Sequence, residues 1–171
     1  MKKIILLGYM GSGKSTIGKI LAKHLHLLFI DLDLEIEKKL NMSIKEIFKT
    51  KGEVYFRKIE HQLLHSIVAE NDNFVLSLGG GTPCYANNHL VLQEPGICSI
   101  YLKGSIKTLA ERLEKEKEHR PVLNNNTDDT LETFIAKHLF DRSYFYYQAK
   151  HIITIDNKTP EELIKEIEVL A

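Results

Sequence analysis

Cysteine is scarce in this sequence, neither sign of charge is in excess, and no long hydrophobic run occurs. The two cysteines, Cys84 and Cys98, do not make a disulfide framework. They read as reduced thiols of a cytoplasmic protein. Twenty-three basic residues balance 23 acidic ones. There is thus no global basic field to gather nucleic acid or an anionic membrane, and neither is expected as a partner. An anionic ligand must be held by a few local cations. No apolar segment has the length a bilayer span needs. The start, Met1-Lys2-Lys3 followed by Ile4 to Leu7, has the charge and apolarity of a leader. Its apolar run ends at Gly8 with no small-residue cleavage site, so no leader is expected. Internal repeats and low-complexity linkers are also lacking. One domain over 1–171 is the expectation for 171 residues of which 43% are hydrophobic.

What is present is an alternation of short apolar runs with longer amphipathic ones. Strands are expected at Lys3–Leu7, Leu28–Asp31, Phe74–Leu78, Ile97–Leu102 and Ile152–Ile155. Each is short and apolar on both faces, as in a buried parallel sheet. Ser43-Ile44-Lys45-Glu46 reads as a capping box whose helix stops near Gly52. Residues 53–70 carry Phe56, Ile59, Leu63, Leu64 and Ile67 at helical spacing. Thr159-Pro160-Glu161-Glu162 places a cap, a first-turn proline and an N3 glutamate in order. The β-α-β-α order predicts an α/β sandwich with a mainly parallel sheet. Residues 115–129 are charged and then asparagine-rich, and read either as a mobile lid or as an exposed connection.

Gly8-Tyr9-Met10-Gly11-Ser12-Gly13-Lys14-Ser15 matches G-x-x-x-x-G-K-[ST] in full. A strand precedes it, and a helix carrying Ile17, Ile20, Leu21 and Leu25 follows. Such a loop curls its N–H groups around phosphates at a helix N-terminus. Lys14 then reaches the β- and γ-phosphates of ATP, and Ser15 offers a hydroxyl to Mg2+.

Three further features fall at the expected carboxyl ends of strands, where open α/β sheets bind ligands. Asp31-Leu32-Asp33 supplies two acids. One can order the shell of a magnesium ion, and the other can accept a hydrogen bond from an attacking hydroxyl, or one of them simply caps the next helix. Gly79-Gly80-Gly81 allows close backbone approach to a ligand. Arg57, Arg120 and Arg142 can grip a carboxylate or a phosphoryl group through their planar forks.

The ordered set of Gly8–Thr16, Asp31-Leu32-Asp33, Gly52-Glu53 with Phe56-Arg57 and Glu60, Gly79-Gly80-Gly81, Arg120-Pro121-Val122-Leu123 and Arg142 with Tyr146 resembles the shikimate kinase family over nearly the whole chain. The resemblance implies a P-loop NTPase-type α/β/α sandwich like that of nucleoside monophosphate kinases. Its five-stranded parallel sheet would run 2-3-1-4-5, with a mobile lid near 115–129. It implies transfer of the ATP γ-phosphoryl group to the 3-hydroxyl of shikimate, a step toward chorismate. Gly11, Ser12, Gly13, Lys14, Ser15, Thr16 and Arg120 would bind ATP. Asp33 would hold the shikimate hydroxyls, while Arg57 and Arg142 would grip its carboxylate. Gly79, Gly80 and Gly81 would line the pocket, with the Gly80 N–H best placed to donate. Phe48 and Phe56 would form the apolar wall, and Glu60 would orient an arginine. Ser15 and Asp31 would hold one Mg2+ per subunit. Lys14, Asp33 and Arg120 would be the catalytic residues, in a monomer.

Two positions depart from the family pattern. Val122 stands where Leu is usual, and Arg112 matches the adenine-stacking arginine only by an uncertain spacing. Other small P-loop kinases remain as alternatives, among them a nucleoside monophosphate kinase and a gluconate kinase. A noncatalytic nucleotide sensor is a third.

Overall fold

A computed structural model describes residues 1–116 and 130–171. Five strands, β1 (Lys2–Leu7), β2 (Leu28–Asp31), β3 (Asn73–Ser77), β4 (Ile97–Lys103) and β5 (His151–Thr154), form one sheet in the order 2-3-1-4-5. All four neighbouring pairs are parallel. Each crossover between parallel strands needs a long connection. The helices supply most of that length: α1 (Lys14–Leu25), α2 (Leu32–Leu40), α3 (Ile44–Lys51), α4 (Glu53–Glu70), α5 (Ile106–Lys115), α6 (Leu131–Tyr146) and α7 (Pro160–Leu170).

Side-chain alternation along β1 splits the core in two. Ile4 and Leu6 pack with Ile17 and Leu21 of α1 and Leu163 and Ile167 of α7. Ile5 and Leu7 pack on the other face with Ile36 of α2, Phe56 and Leu64 of α4 and Leu109 of α5. All four β1 residues are fully buried. Burying each such side chain contributes about 2 kcal/mol. That two-sided burial makes three layers, as the unbroken apolar runs require.

Several expected boundaries hold closely. β2 spans the expected residues, and Ser43 forms a complete capping box over α3, with Gly52 following its last residue. Thr159 forms a second complete box over α7. Leu78 and Ile155 fall just beyond their strands yet still donate to Leu6 O and Lys103 O. Ile20 departs from the expected buried face of α1, being 41% exposed. The helix presents Ile17, Gly18 and Leu21 to the sheet instead, with Gly18 so close to Phe29 that a Cβ would lie 2.5 Å from the ring. The expected lid segment, with Arg120 and Val122, lies outside the described residues, except that Lys115 ends α5 and Glu116 follows it.

Candidate active site

Three strands deliver the site from their carboxyl ends. β1 runs directly into the phosphate loop, and α1 begins at Lys14. The turn into that helix needs φ +89° at Gly13, a left-handed conformation that residues with a Cβ rarely adopt. Lys14 is 9% exposed and its Nζ donates to Gly8 O (2.9 Å) and Tyr9 O (3.0 Å). The loop thereby holds its own cation over its concave side. Ser12 Oγ is buried there with no hydrogen-bond partner among the described residues. A buried hydroxyl in that condition suits a loop built to receive phosphate oxygens. A cavity of about 400 Å3 extends from Gly11–Thr16 past Asp31 and Asp33 to Gly79 and Gly80.

The end of β2 divides its two acids by task. Asp31 Oδ2 accepts from Ser15 Oγ at 2.6 Å, while Oδ1 caps α2 through the N–H groups of Asp33 (3.1 Å) and Leu34 (3.4 Å). The helix cap is therefore Asp31, and Asp33 is left to face the cavity from the first turn. Ser77 Oγ lies 3.4 Å from Ser15 Oγ. Ser15, Asp31 and Ser77 form a hard oxygen set of one carboxylate and two hydroxyls. Such a set suits Mg2+, which uses one or two carboxylates together with water and substrate phosphates rather than a full protein cage. The Asp33 carboxyl is pushed up to about 6. Burial is the main cause, followed by the charges of Asp31 and Glu60, against the opposing pull of Lys14 and Arg57.

β3 leads into the triple glycine, and each of its three glycines makes room for one charged side chain. A Cβ on Gly79 would lie 2.8 Å from Asp33 Oδ1. On Gly80 it would lie 3.4 Å from an Arg142 Nη, and on Gly81 2.8 Å from an Arg57 Nη. Helices α2, α6 and α4 thus aim one carboxylate and two guanidiniums at a single strip of backbone.

That arrangement is tied down from behind. Tyr146, fully buried, donates to Gly80 O at 2.6 Å. Arg57 donates to Glu60 at 2.9 Å, and Glu60 is 1% exposed. Burial works against the Arg57 charge, but Glu60, Tyr85 and Glu53 outweigh it and hold the guanidinium above its ordinary pKa. Phe48 and Phe56 pack with ring centroids 4.7 Å apart and planes tilted by 41°. Phe56 belongs to the core, and Phe48 is 38% exposed.

The shikimate kinase family model matches residues 10–170. The chain belongs to the shikimate kinase family. It is accordingly an ATP-dependent kinase. It is 52% identical to a shikimate kinase of Flavobacterium psychrophilum over 98% of this chain and 97% of that one. A crystal structure of the shikimate kinase from Bacteroides thetaiotaomicron superposes with a TM-score of 0.89 at 36% identity, covering 99% of this chain and 97% of the other. The Acinetobacter baumannii shikimate kinase, solved in complex with shikimate, gives 0.86 at 32% identity over 99% and 92%. The five-stranded 2-3-1-4-5 sheet expected for a shikimate kinase is the one this chain forms.

Of the residues singled out in the sequence, Gly11, Ser12, Gly13, Lys14, Ser15, Thr16, Asp31, Asp33, Gly79 and Gly80 share the cavity. Arg57, Gly81 and Arg142 adjoin it through the glycine strip. Arg112 also reaches it, donating to Gly11 O at 3.3 Å. Sequence reasoning passed over Tyr9, whose hydroxyl shares a 2.8 Å hydrogen bond with His138 and whose ring lies 5.6 Å from the Arg142 guanidinium. It also passed over Thr82, whose hydroxyl donates to Glu60, and Tyr85, whose ring lies 3.9 Å from the Arg57 guanidinium. No motif marks them, because an isolated hydroxyl or ring in a loop carries no periodic signal.

Proposed function

We propose that this protein transfers the γ-phosphoryl group of ATP to the 3-hydroxyl of shikimate, giving 3-phosphoshikimate and ADP. The observation that carries the reading is the glycine strip, which sets Asp33, Arg142 and Arg57 side by side. A carboxylate next to two guanidiniums complements an acceptor with both a hydroxyl and a carboxylate. A phosphate acceptor, as in a nucleoside monophosphate kinase, would meet repulsion from Asp33.

In this reading Gly11, Ser12, Gly13, Lys14, Ser15 and Thr16 cradle ATP, and the Lys14 ammonium neutralises charge on its terminal phosphates. Ser15 and Asp31 hold one Mg2+ per subunit, which supplies charge neutralisation at the phosphates. Asp33 accepts a hydrogen bond from the 3-hydroxyl and aims its oxygen at the γ-phosphorus. Because phosphoryl transfer passes through a loose transition state, this positioning supplies most of the catalysis. Arg57 and Arg142 fix the acceptor's carboxylate, Glu60 orients Arg57, and Gly79, Gly80 and Gly81 admit the ring. Phe48 and Phe56 form the apolar wall. Arg120, outside the described residues, belongs to the same proposal as the cation on the transferring group. The protein acts as a single-domain monomer in the cytoplasm without nucleic-acid or membrane partners. Among the described residues no helix is long and apolar enough to cross a membrane.

ADP release from Mg·ATP, followed with shikimate, gluconate or AMP, tests the proposal. Release with shikimate alone is the expected outcome. Release with gluconate or AMP instead overturns the acceptor. ATP binding with no release in any arm favours a sensor.

A further inference from the structure

Arg57 is held by Glu60, Glu53, Phe56 and Tyr85, and the loop that follows the triple glycine supplies Tyr85 directly and Thr82 through Glu60. The short 3₁₀ turn Thr82–Cys84 begins directly after Gly81. Thr82 is fully buried, and its hydroxyl donates to Glu60 Oε1 at 2.7 Å. The other oxygen of that carboxylate, Oε2, takes the Arg57 hydrogen bond. Thr82 thus spends its one hydroxyl proton on the carboxylate that orients Arg57.

Thr82 is itself fixed. Asn88, 1% exposed, donates its amide N–H to Thr82 O at 2.9 Å. That leaves the Asn88 Oδ1 to accept from His61 Nδ1 at 2.7 Å. Donors therefore run one way, from His61 through Asn88 and Thr82 to Glu60. Three residues further along the loop from Thr82, the Tyr85 ring lies beneath the guanidinium, 3.9 Å from centroid to Cζ. Phe56 offers a second ring at 5.1 Å.

We infer that Thr82 and Tyr85 are positioning residues for the acceptor, a clamp that sets the plane and reach of the Arg57 fork. A guanidinium binds a carboxylate well only when its plane is aligned for two parallel hydrogen bonds. Thr82 sets the in-plane direction through Glu60, and Tyr85 sets the plane by stacking. Neither residue touches the reacting atoms. The inference rests on the reading of Arg57 as the grip on the acceptor's carboxylate.

The test is steady-state kinetics on Thr82→Val, Thr82→Ser, Tyr85→Leu, Tyr85→Phe and Arg57→Ala, with KM measured separately for shikimate and ATP. Thr82→Val, which keeps the shape and deletes the donor, raises the shikimate KM about tenfold. Tyr85→Leu raises it about fivefold by removing the ring. In both the ATP KM stays within about twofold of wild type. Thr82→Ser restores the donor and reverses the defect, and Tyr85→Phe restores the stack. A merely structural role would lower thermal stability without this split between substrates. If Thr82→Val does not fold, the half-exposed Tyr85 still decides the matter. Unchanged shikimate KM in Thr82→Val and Tyr85→Leu, with a raised one in Arg57→Ala, overturns the clamp alone. An unchanged shikimate KM in Arg57→Ala overturns the assignment of Arg57 beneath it.

Discussion

Ser15 and Asp31 are joined by a 2.6 Å hydrogen bond from hydroxyl to carboxylate, linking the first turn of α1 to the end of β2. The same carboxylate caps α2 with its second oxygen. One side chain therefore serves both a helix terminus and the proposed magnesium site, and the two tasks can be separated by substitution. Asn caps a helix about as well as Asp. Asp31→Asn is expected to raise the Mg2+ concentration needed for half-maximal ADP release with little loss of stability. Asp31→Ala is expected to do the same and also lose about 1 kcal/mol from the cap. Magnesium titrations and denaturant unfolding read the two effects. Equal magnesium dependence in all three proteins would remove Asp31 from the ion site.

Asp33 makes a prediction with opposite signs for activity and stability. Its carboxyl titrates near 6 in the folded protein, against an ordinary value of 3.8. Between those values the folded state binds more protons than the unfolded one, so stability falls as pH rises from about 4 to 6. At neutral pH the buried charge is a standing cost of about 1–3 kcal/mol. Asp33→Asn is expected to abolish turnover and yet raise Tm at pH 7, with the gain shrinking toward pH 4. In the wild type, kcat/KM should fall as pH drops through about 6, where Asp33 takes up a proton. A variant with near wild-type kcat, or a flat rate between pH 5 and 7, would refute the role.

Lys14 and Arg142 should fail differently. Lys14→Ala removes the cation that lies over the phosphate loop and is expected to lower kcat about a hundredfold or more, with the fold intact by circular dichroism. Arg142 stands against Gly80 on the acceptor side. Arg142→Ala is expected mainly to raise the shikimate KM, with some loss of kcat as alignment suffers. A rise confined to the ATP KM would move Arg142 to the nucleotide.

Gly81 and Gly8 contrast space with conformation. Gly81 has φ −91° and ψ −14°, which alanine adopts without strain. The nearest atoms to its new Cβ would be those at the end of the Arg57 side chain. Gly81→Ala should therefore leave Tm nearly unchanged while raising the shikimate KM. Gly8 has φ +146°, and a Cβ there would sit 2.7 Å from the backbone oxygen of Leu102. Gly8→Ala should cost about 1–3 kcal/mol, seen as a lowered denaturant midpoint. If Gly81→Ala is as destabilising as Gly8→Ala, the loop around Arg57 is more rigid than its contacts imply.

Features written within a few neighbouring residues were legible before the fold was known. The two capping boxes at Ser43 and Thr159, the glycine after α3 and the phosphate loop each satisfy backbone groups only a few positions away. The strands were legible because burial on both faces demands unbroken apolar runs. Where tertiary packing chose among local options, the sequence was less informative. Asp31 and Asp33 are both competent caps, and the difference is that β2 ends with Asp31 beside Ser15, while the turn of α2 carries Asp33 against Gly79. Ile20 is apolar, yet the close approach of α1 to Phe29 at Gly18 rotates it toward solvent.

By itself, then, the sequence determined the alternation of strands and helices, the nucleotide loop and the residue types available for an anionic acceptor. Only the tertiary structure decided that Arg142 meets Gly80 and Arg57 meets Gly81, that Glu60 is buried against Arg57, and that Thr82 and Tyr85 hold this ion pair. The physical reason is range. Caps and phosphate loops are satisfied by hydrogen bonds a few residues apart. The acceptor side is assembled from α4, the end of β3 and α6, which only the parallel sheet order and the packing of those helices bring together.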